Sequence, residues 1–300
     1  GSAGPRTPLR GPARRGECFS NAKPFFLTAS CAVVFYPNRR CEMRKVLTAV
    51  GCAALMLPLL PATASSQDME QGELGMVMTV DVEPAHREAY VEALEMLKEA
   101  ATAAGVSDYE WHFWGNSTGF TLYYPIEEFA YFDDPQQLWR SFEGTDGQAA
   151  RDEFFEAIQQ VPAHSTTEII ETIPSLTYWP EGFDDVNAAH VHYEWLADGA
   201  TEEQWLENAQ KWVAFFEKIG YPYGVRAYRT RIGDERMTWV FFVPSLAEFH
   251  SDASWDDLVE AADAGDEMEA LGAEWSEIVR RMEHESSGYV ESMSYVPGDM

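Results

Sequence analysis

Residues 120–134, FTLYYPIEEFAYFDD, have a near-echo in residues 239–252, WVFFVPSLAEFHSD. Each reads as a short aromatic and β-branched strand. Each strand stops at a proline, Pro125 or Pro244, because proline has no N–H to give to a sheet ladder. An acidic turn carrying Phe129 or Phe249 follows. A second pair of echoes lies downstream, SLTYWP at 175–180 and SMSYVP at 292–297. Two matches in the same order mark an internal duplication.

Working outward, the first copy predicts a strand at 76–80. Pro84 then suits the first turn of a helix, where its missing N–H costs nothing. Tyr90, Leu94, Leu97 and Ala101 follow at helical spacing, and Gly105 supplies the stop. Strands at 110–114 and 120–124 flank the turn 115–119. Helices at 138–142 and 151–161 and a strand at 168–178, imperfect because of Pro174, complete the order β-α-β-β-α-β. In the second copy, a strand at 191–195 precedes a capping box made by Thr201 and Gln204. Trp205, Ala209, Trp212, Phe216 and Ile219 then form a helical stripe ending at Gly220. A hairpin at 225–230 and 237–243, a stripe of Met268, Leu271, Trp275, Ile278 and Met282, and a strand at 289–295 repeat the order. With Tyr90 set on Trp205, Gly105 falls on Gly220 and Val80 on Trp195 without a gap. Aromatic stripes at helical spacing read as core.

The N-terminal part reads differently. Met43-Arg44-Lys45, an apolar run at 46–60 and Ala62-Thr63-Ala64 have the order of a secretory signal peptide. The expected division is an upstream segment at 1–42, a signal peptide at 43–64 cut after Ala64, a tether at 65–74, repeat one at 75–180, a linker at 181–187 and repeat two at 188–297. The product is expected to be periplasmic or secreted, with no stable membrane insertion after cleavage. Cys18, Cys31, Cys41 and Cys52 all precede the cut, so the mature chain has neither disulfides nor a thiolate nucleophile. The whole sequence has a formal net charge of −29, and residues 1–64 hold nine of its 21 Lys and Arg against two of its 50 acidic residues. So acidic a chain repels nucleic-acid phosphates and anionic lipids.

Two β-α-β-β-α-β units of this size resemble the dimeric α+β barrel superfamily. That superfamily includes antibiotic-biosynthesis-type monooxygenases, EthD-like and NIPSNAP-like proteins, chlorite dismutases and dye-decolorising peroxidases. The resemblance implies an α+β fold in which two tandem ferredoxin-like units set their sheets face to face. With both in one chain, a pseudo-dimeric barrel closes within a monomer or weak homo-oligomer. No stretch matches the haem-ligand helix of the peroxidase-like members, which weighs against haem.

Residues 190–195 read His-Val-His-Tyr-Glu-Trp. Alternation puts His190, His192 and Glu194 on one face and Val191, Tyr193 and Trp195 on the other. With the apolar set packed on the helices, the His-x-His-x-Glu face is expected inside the barrel. There it could bind a divalent metal or serve as acid and base. Glu110, His112 and Trp114 share one face of a first-copy strand, and Arg226 and Tyr228 share one in the second. Pointing inward, they would suit a small, partly apolar organic ligand. Arg229, Arg231 and Arg236 are expected in salt bridges around the hairpin. His86, His164, His250 and His284 read as isolated surface residues. No phosphate-cradling Gly-rich loop, G-x-S-x-G or H-E-x-x-H occurs.

Three functions stay open: an exported small-molecule-binding protein, a cofactor-independent or metal-assisted monooxygenase-like enzyme using His190, His192 and Glu194, and a structural or partner-binding protein with a filled barrel.

Overall fold

A computed structural model describes residues 72–134, 136–250 and 254–298. The upstream segment, the signal peptide and most of the tether lie outside the described residues. Eight strands, all paired antiparallel, form a closed barrel. They are β1 (Leu74–Val82), β2 (His112–Gly115), β3 (Gly119–Ile126), β4 (Ala163–Thr172), β5 (Ala188–Leu196), β6 (Gly224–Ile232), β7 (Met237–Val243) and β8 (Val279–Tyr289). The order around the barrel is β1-β3-β2-β8-β5-β7-β6-β4. Each half therefore contributes four adjacent strands, and the seams β2–β8 and β4–β6 join them. Closure leaves no sheet edge to template aggregation.

Helices α1 (Arg87–Ala104), α2 (Gln137–Arg140) and α3 (Gln148–Ile158) belong to the first half. Helices α4 (Glu202–Ile219), α5 (Leu246–Phe249), α6 (Ser254–Ala261) and α7 (Gly265–Ile278) belong to the second. Among the described residues, no helix is long and apolar enough to cross a membrane. Two cores separate with the halves. One sits around Leu94, Phe113, Phe142 and Phe154, the other around Trp205, Phe215, Phe216 and Trp239. Gly105 and Gly220 end α1 and α4 in the left-handed conformation, φ 65° and 63°, which glycine adopts without a Cβ penalty. The Thr201–Gln204 capping box forms as expected.

The last strand of each half departs from the sequence expectation in the same way. β4 starts at Ala163 and ends before the short 3-10 turn Pro174–Leu176. β8 begins directly at Val279, so the apolar stripe of α7 ends at Ile278, and Met282 is an exposed strand residue. The early parts of both strands are polar and exposed, so neither carries alternation that could be read locally; pairing with β1 and β5 makes them strands. The stretches expected as strands instead place Tyr178 and Tyr295 in isolated bridges to Val225 and Trp111.

Candidate functional site

The barrel encloses a cavity of about 390 Å³. Val77, Ile170, Ala189, Val191, Val240 and Phe242 supply apolar wall, and Trp114, Tyr123, Trp179 and Tyr289 add rings. Four of the five residues expected at a ligand site line it: His112, Trp114, Arg226 and Tyr228. Glu110 does not line this cavity; its carboxylate stands 3.8 Å from His112 Nε2. His112 Nδ1 lies 3.3 Å from the Tyr289 hydroxyl, and burial holds its pKa below the usual 6.5, with Glu110 opposing the shift.

The lumenal charges differ in how they are met. Arg236 pairs with Glu168 at 2.5 Å and lies over the Tyr193 ring. Glu285 accepts from Asn116 Nδ2 at 2.5 Å and from the Tyr193 hydroxyl at 3.2 Å. Arg226 lies over the rings of Trp179 and Phe242, 5.3 and 5.9 Å from their centroids, and bonds with Tyr228. Among the described residues, Arg226 forms no ion pair with a carboxylate. Away from the cavity, Arg229 and Arg231 both pair with Glu171, at 3.1 and 3.0 Å, as expected for the hairpin cluster.

The face of β5 expected inside the barrel lies outside it. Val191 and Tyr193 line the lumen. His190, His192 and Glu194 point to the helix layer. Glu194 is 1% exposed and accepts a 2.9 Å hydrogen bond from Trp205 Nε1–H. The expectation placed the apolar set against the helices, whereas the lumen wall is itself largely apolar and takes Val191 and Tyr193. Four residues separate β1 from α1 and five separate β5 from α4. An alignment anchored on the helices is therefore out by one in the strands, and a one-residue slip exchanges the two faces. Counted from the first residue of each nine-residue strand, His190, His192 and Glu194 stand where β1 has Met76, Met78 and Val80.

The same correction brings in a residue read as isolated surface. His192 is paired across the sheet with His284 of β8. One ring nitrogen from each of His190, His192 and His284 lies within 4.8 Å of the others, and Glu194 is not part of this group. The cross-strand register that found His284 was hidden because β8 was not legible as a strand. His250, at the end of α5, stacks edge-on against His190 at 5.5 Å. Burial, with neighbouring imidazoles, lowers the pKa of His190 to about 4 and of His192 to about 3. Burial raises that of Glu194 to about 8, the Trp205 N–H opposing it. All three side chains are thus neutral near pH 7. Between this face and the helices lies a second cavity of about 340 Å³, lined by His192, Glu194 and aromatic residues including Trp212, Phe216, Trp239 and Trp275.

No family model matches the sequence, and comparison with curated proteins gives no match. Solved structures do share the chain path in part. An anthrone oxidase-like protein aligns over 77% of this chain and 96% of its own, at 13% identity and TM-score 0.47. A candidate monooxygenase from Fusobacterium nucleatum subsp. nucleatum covers 76% and 99% at 12% identity and TM-score 0.46. A haem-binding protein from Thermus thermophilus covers 74% and 92% at 11% identity and TM-score 0.40. At these identities and scores, none of their activities transfers to this chain. The lining of the second cavity does not fit haem. It has an imidazole, His192, but no Lys or Arg lines it to meet two propionates.

Proposed function

We propose that this chain binds a small, ring-bearing organic acid in the barrel lumen. The observation that carries the reading is Arg226. It is a cation lining a largely apolar cavity, flanked by Trp179 and Phe242, with no carboxylate paired to it among the described residues. A guanidinium partly removed from water is costly unless an anion meets it. The surrounding rings suit a flat apolar body, and the cavity's about 390 Å³ lies in the small-molecule range. An open lumen of that size argues against a barrel filled by its own side chains. The proposal includes export, carried by residues 43–64, and a site completed by one chain.

One observation favours a second reading, a monooxygenase-like enzyme working in this lumen. His112 is a neutral, half-buried base at the cavity wall with Glu110 behind it. It could take a proton from an acidic methylene of the bound molecule; the carbanion then forms a C–O bond to dioxygen, and the protonated hydroperoxide breaks its O–O bond, losing water to leave a carbonyl. His190, His192 and Glu194 face away from that molecule, so this version of the enzyme reading does not use them.

The test is titration of 2-naphthoate and neutral 2-naphthamide into the full chain, followed by tryptophan fluorescence from Trp114 and Trp179. The acid should bind more tightly, and Arg226→Met should weaken it by about a hundredfold, the scale of losing a charge-assisted contact of about 1.5–3 kcal/mol, with the thermal midpoint kept. Equal affinities for acid and amide, or an Arg226→Met chain that binds as well as the parent, would defeat the reading.

A further inference from the structure

We infer that His190, His192 and His284 form a site for one divalent transition-metal ion of the Zn2+ class, on the outer face of the barrel beneath α5. The sheet builds the site. His190 and His192 are two apart on β5 and so share a face, and His284 stands opposite His192 on antiparallel β8. Ring centroids are separated by 4.9 Å (His190–His192), 4.4 Å (His192–His284) and 5.6 Å (His190–His284). Bonds of about 2.0–2.1 Å place three imidazoles on one tetrahedral ion with ring centres about 5 Å apart. The donor atoms, all within 4.8 Å of one another, need only side-chain rotation of about 1 Å to converge on such bonds.

Two further features suit a metal. His190 Nδ1 lies 2.7 Å from Ser286 Oγ, which leaves Nε2 for an ion and fixes the ring, as outer partners of ligating histidines do. His284 is exposed whereas His190 and His192 are half-buried, so the group opens to solvent on one side. Three imidazoles and no carboxylate leave the fourth position for water or a small anion. An all-imidazole set selects Zn2+, Cu2+ or Ni2+ over the oxygen-seeking Mg2+ and Ca2+. The lumen lies across the sheet, lined by the opposite face of β5, so this inference stands whether or not the lumenal reading does.

The experiment uses the untagged full chain, stripped with chelator and titrated with Zn2+ against a competing chromophoric chelator. Co2+ substitution gives an independent visible spectrum. The expected result is one Zn2+ per chain and tetrahedral Co2+ bands. His192→Ala and the exposed-site variant His284→Thr should each weaken uptake by about a hundredfold or more, and Ser286→Ala by about tenfold. His164→Ala, an exposed histidine elsewhere, should change nothing. Circular dichroism establishes that each variant is folded, and His284→Thr carries the test should His192→Ala unfold. The inference is overturned if the parent takes up no Zn2+ in competition, if His284→Thr binds as the parent does, or if His164→Ala loses as much as His284→Thr.

Discussion

The seam between sheet and helices can be compared in the two halves, strand position by strand position. In the first half, Met76, Met78 and Val80 of β1 face α1 and α3, and Thr167 of β4 stands opposite Met78. In the second half the same positions hold His190, His192 and Glu194 of β5, with His284 of β8 opposite His192. Strand β1 thus carries an apolar seam and strand β5 a polar one. The difference teaches that the pleat sets where a side chain points, while its helix neighbours decide whether a polar group can stay there. Glu194 stays because Trp205 donates to it; three imidazoles stay because α5 leaves His284 open to water.

The largest expected effect comes from breaking that support. Trp205 is fully buried and packs on Trp239 and Trp275 at 5.5 and 5.8 Å. Tyr90, at the matching turn of α1, stacks on Phe120 at 5.3 Å. Removing a buried aromatic costs about 3–5 kcal/mol. Trp205→Ala also strands the Glu194 carboxyl, a further cost of about 1–3 kcal/mol. Urea denaturation should therefore show Trp205→Ala as the more damaging of the two. A Tyr90→Ala loss as large as that of Trp205→Ala would mean the Glu194–Trp205 bond adds nothing.

A smaller contrast lies between the helices. Gly147, just before α3, touches α1 so closely that a Cβ there would sit 2.1 Å from the Ala100 carbonyl oxygen and 2.9 Å from Ala104 Cβ. Gly265 opens α7 with nothing within 4 Å of such a Cβ and no positive φ. Gly147→Ala should cost about 1–3 kcal/mol through overpacking. Gly265→Ala should stabilise by about 0.4–1 kcal/mol, by narrowing the unfolded ensemble. Thermal midpoints of opposite shift would establish that the first half's helix pair is the tighter one; shifts of the same sign would deny it.

What was legible in the sequence follows where the physics is local. The echoes at 120–125 and 239–244 became β3 and β7, paired with β1 and β5. The glycine stops and the capping box are decided within one helical turn, and they appear as expected. β4 and β8 were misplaced because their polar first residues are strands only through their partners. That miss hid His284, and the apolar lumen wall, which takes Val191 and Tyr193, reversed the expected facing of His190, His192 and Glu194. His112, Trp114, Arg226 and Tyr228 were found because alternation on a half-buried strand is itself local.

The smallest effect is one of pH, and it also separates the halves. Lumenal β2 carries the histidine His112, whereas β6 lines the same cavity with Arg226 and Tyr228. His112 is faced by Glu110, Tyr123 and Tyr289. Its folded pKa is depressed below 6.5, first by burial, with Glu110 opposing. Between the folded value and 6.5 the unfolded chain therefore binds more protons, and stability rises with pH. The contribution is fully present above 6.5 and is lost as pH falls toward the folded value. His190 and His192 shift the same way in the metal-free chain, so only a difference between proteins isolates His112. Urea midpoints of the parent and His112→Gln, taken at about pH 7.5 and about pH 5, supply it. The parent should lose more on acidification than the variant, with a difference of slope below about 1.4 kcal/mol per pH unit, the limit for one proton. Equal losses would mean that Glu110 cancels the burial of His112, and the lumenal base would then be protonated within its ordinary range rather than held neutral below it.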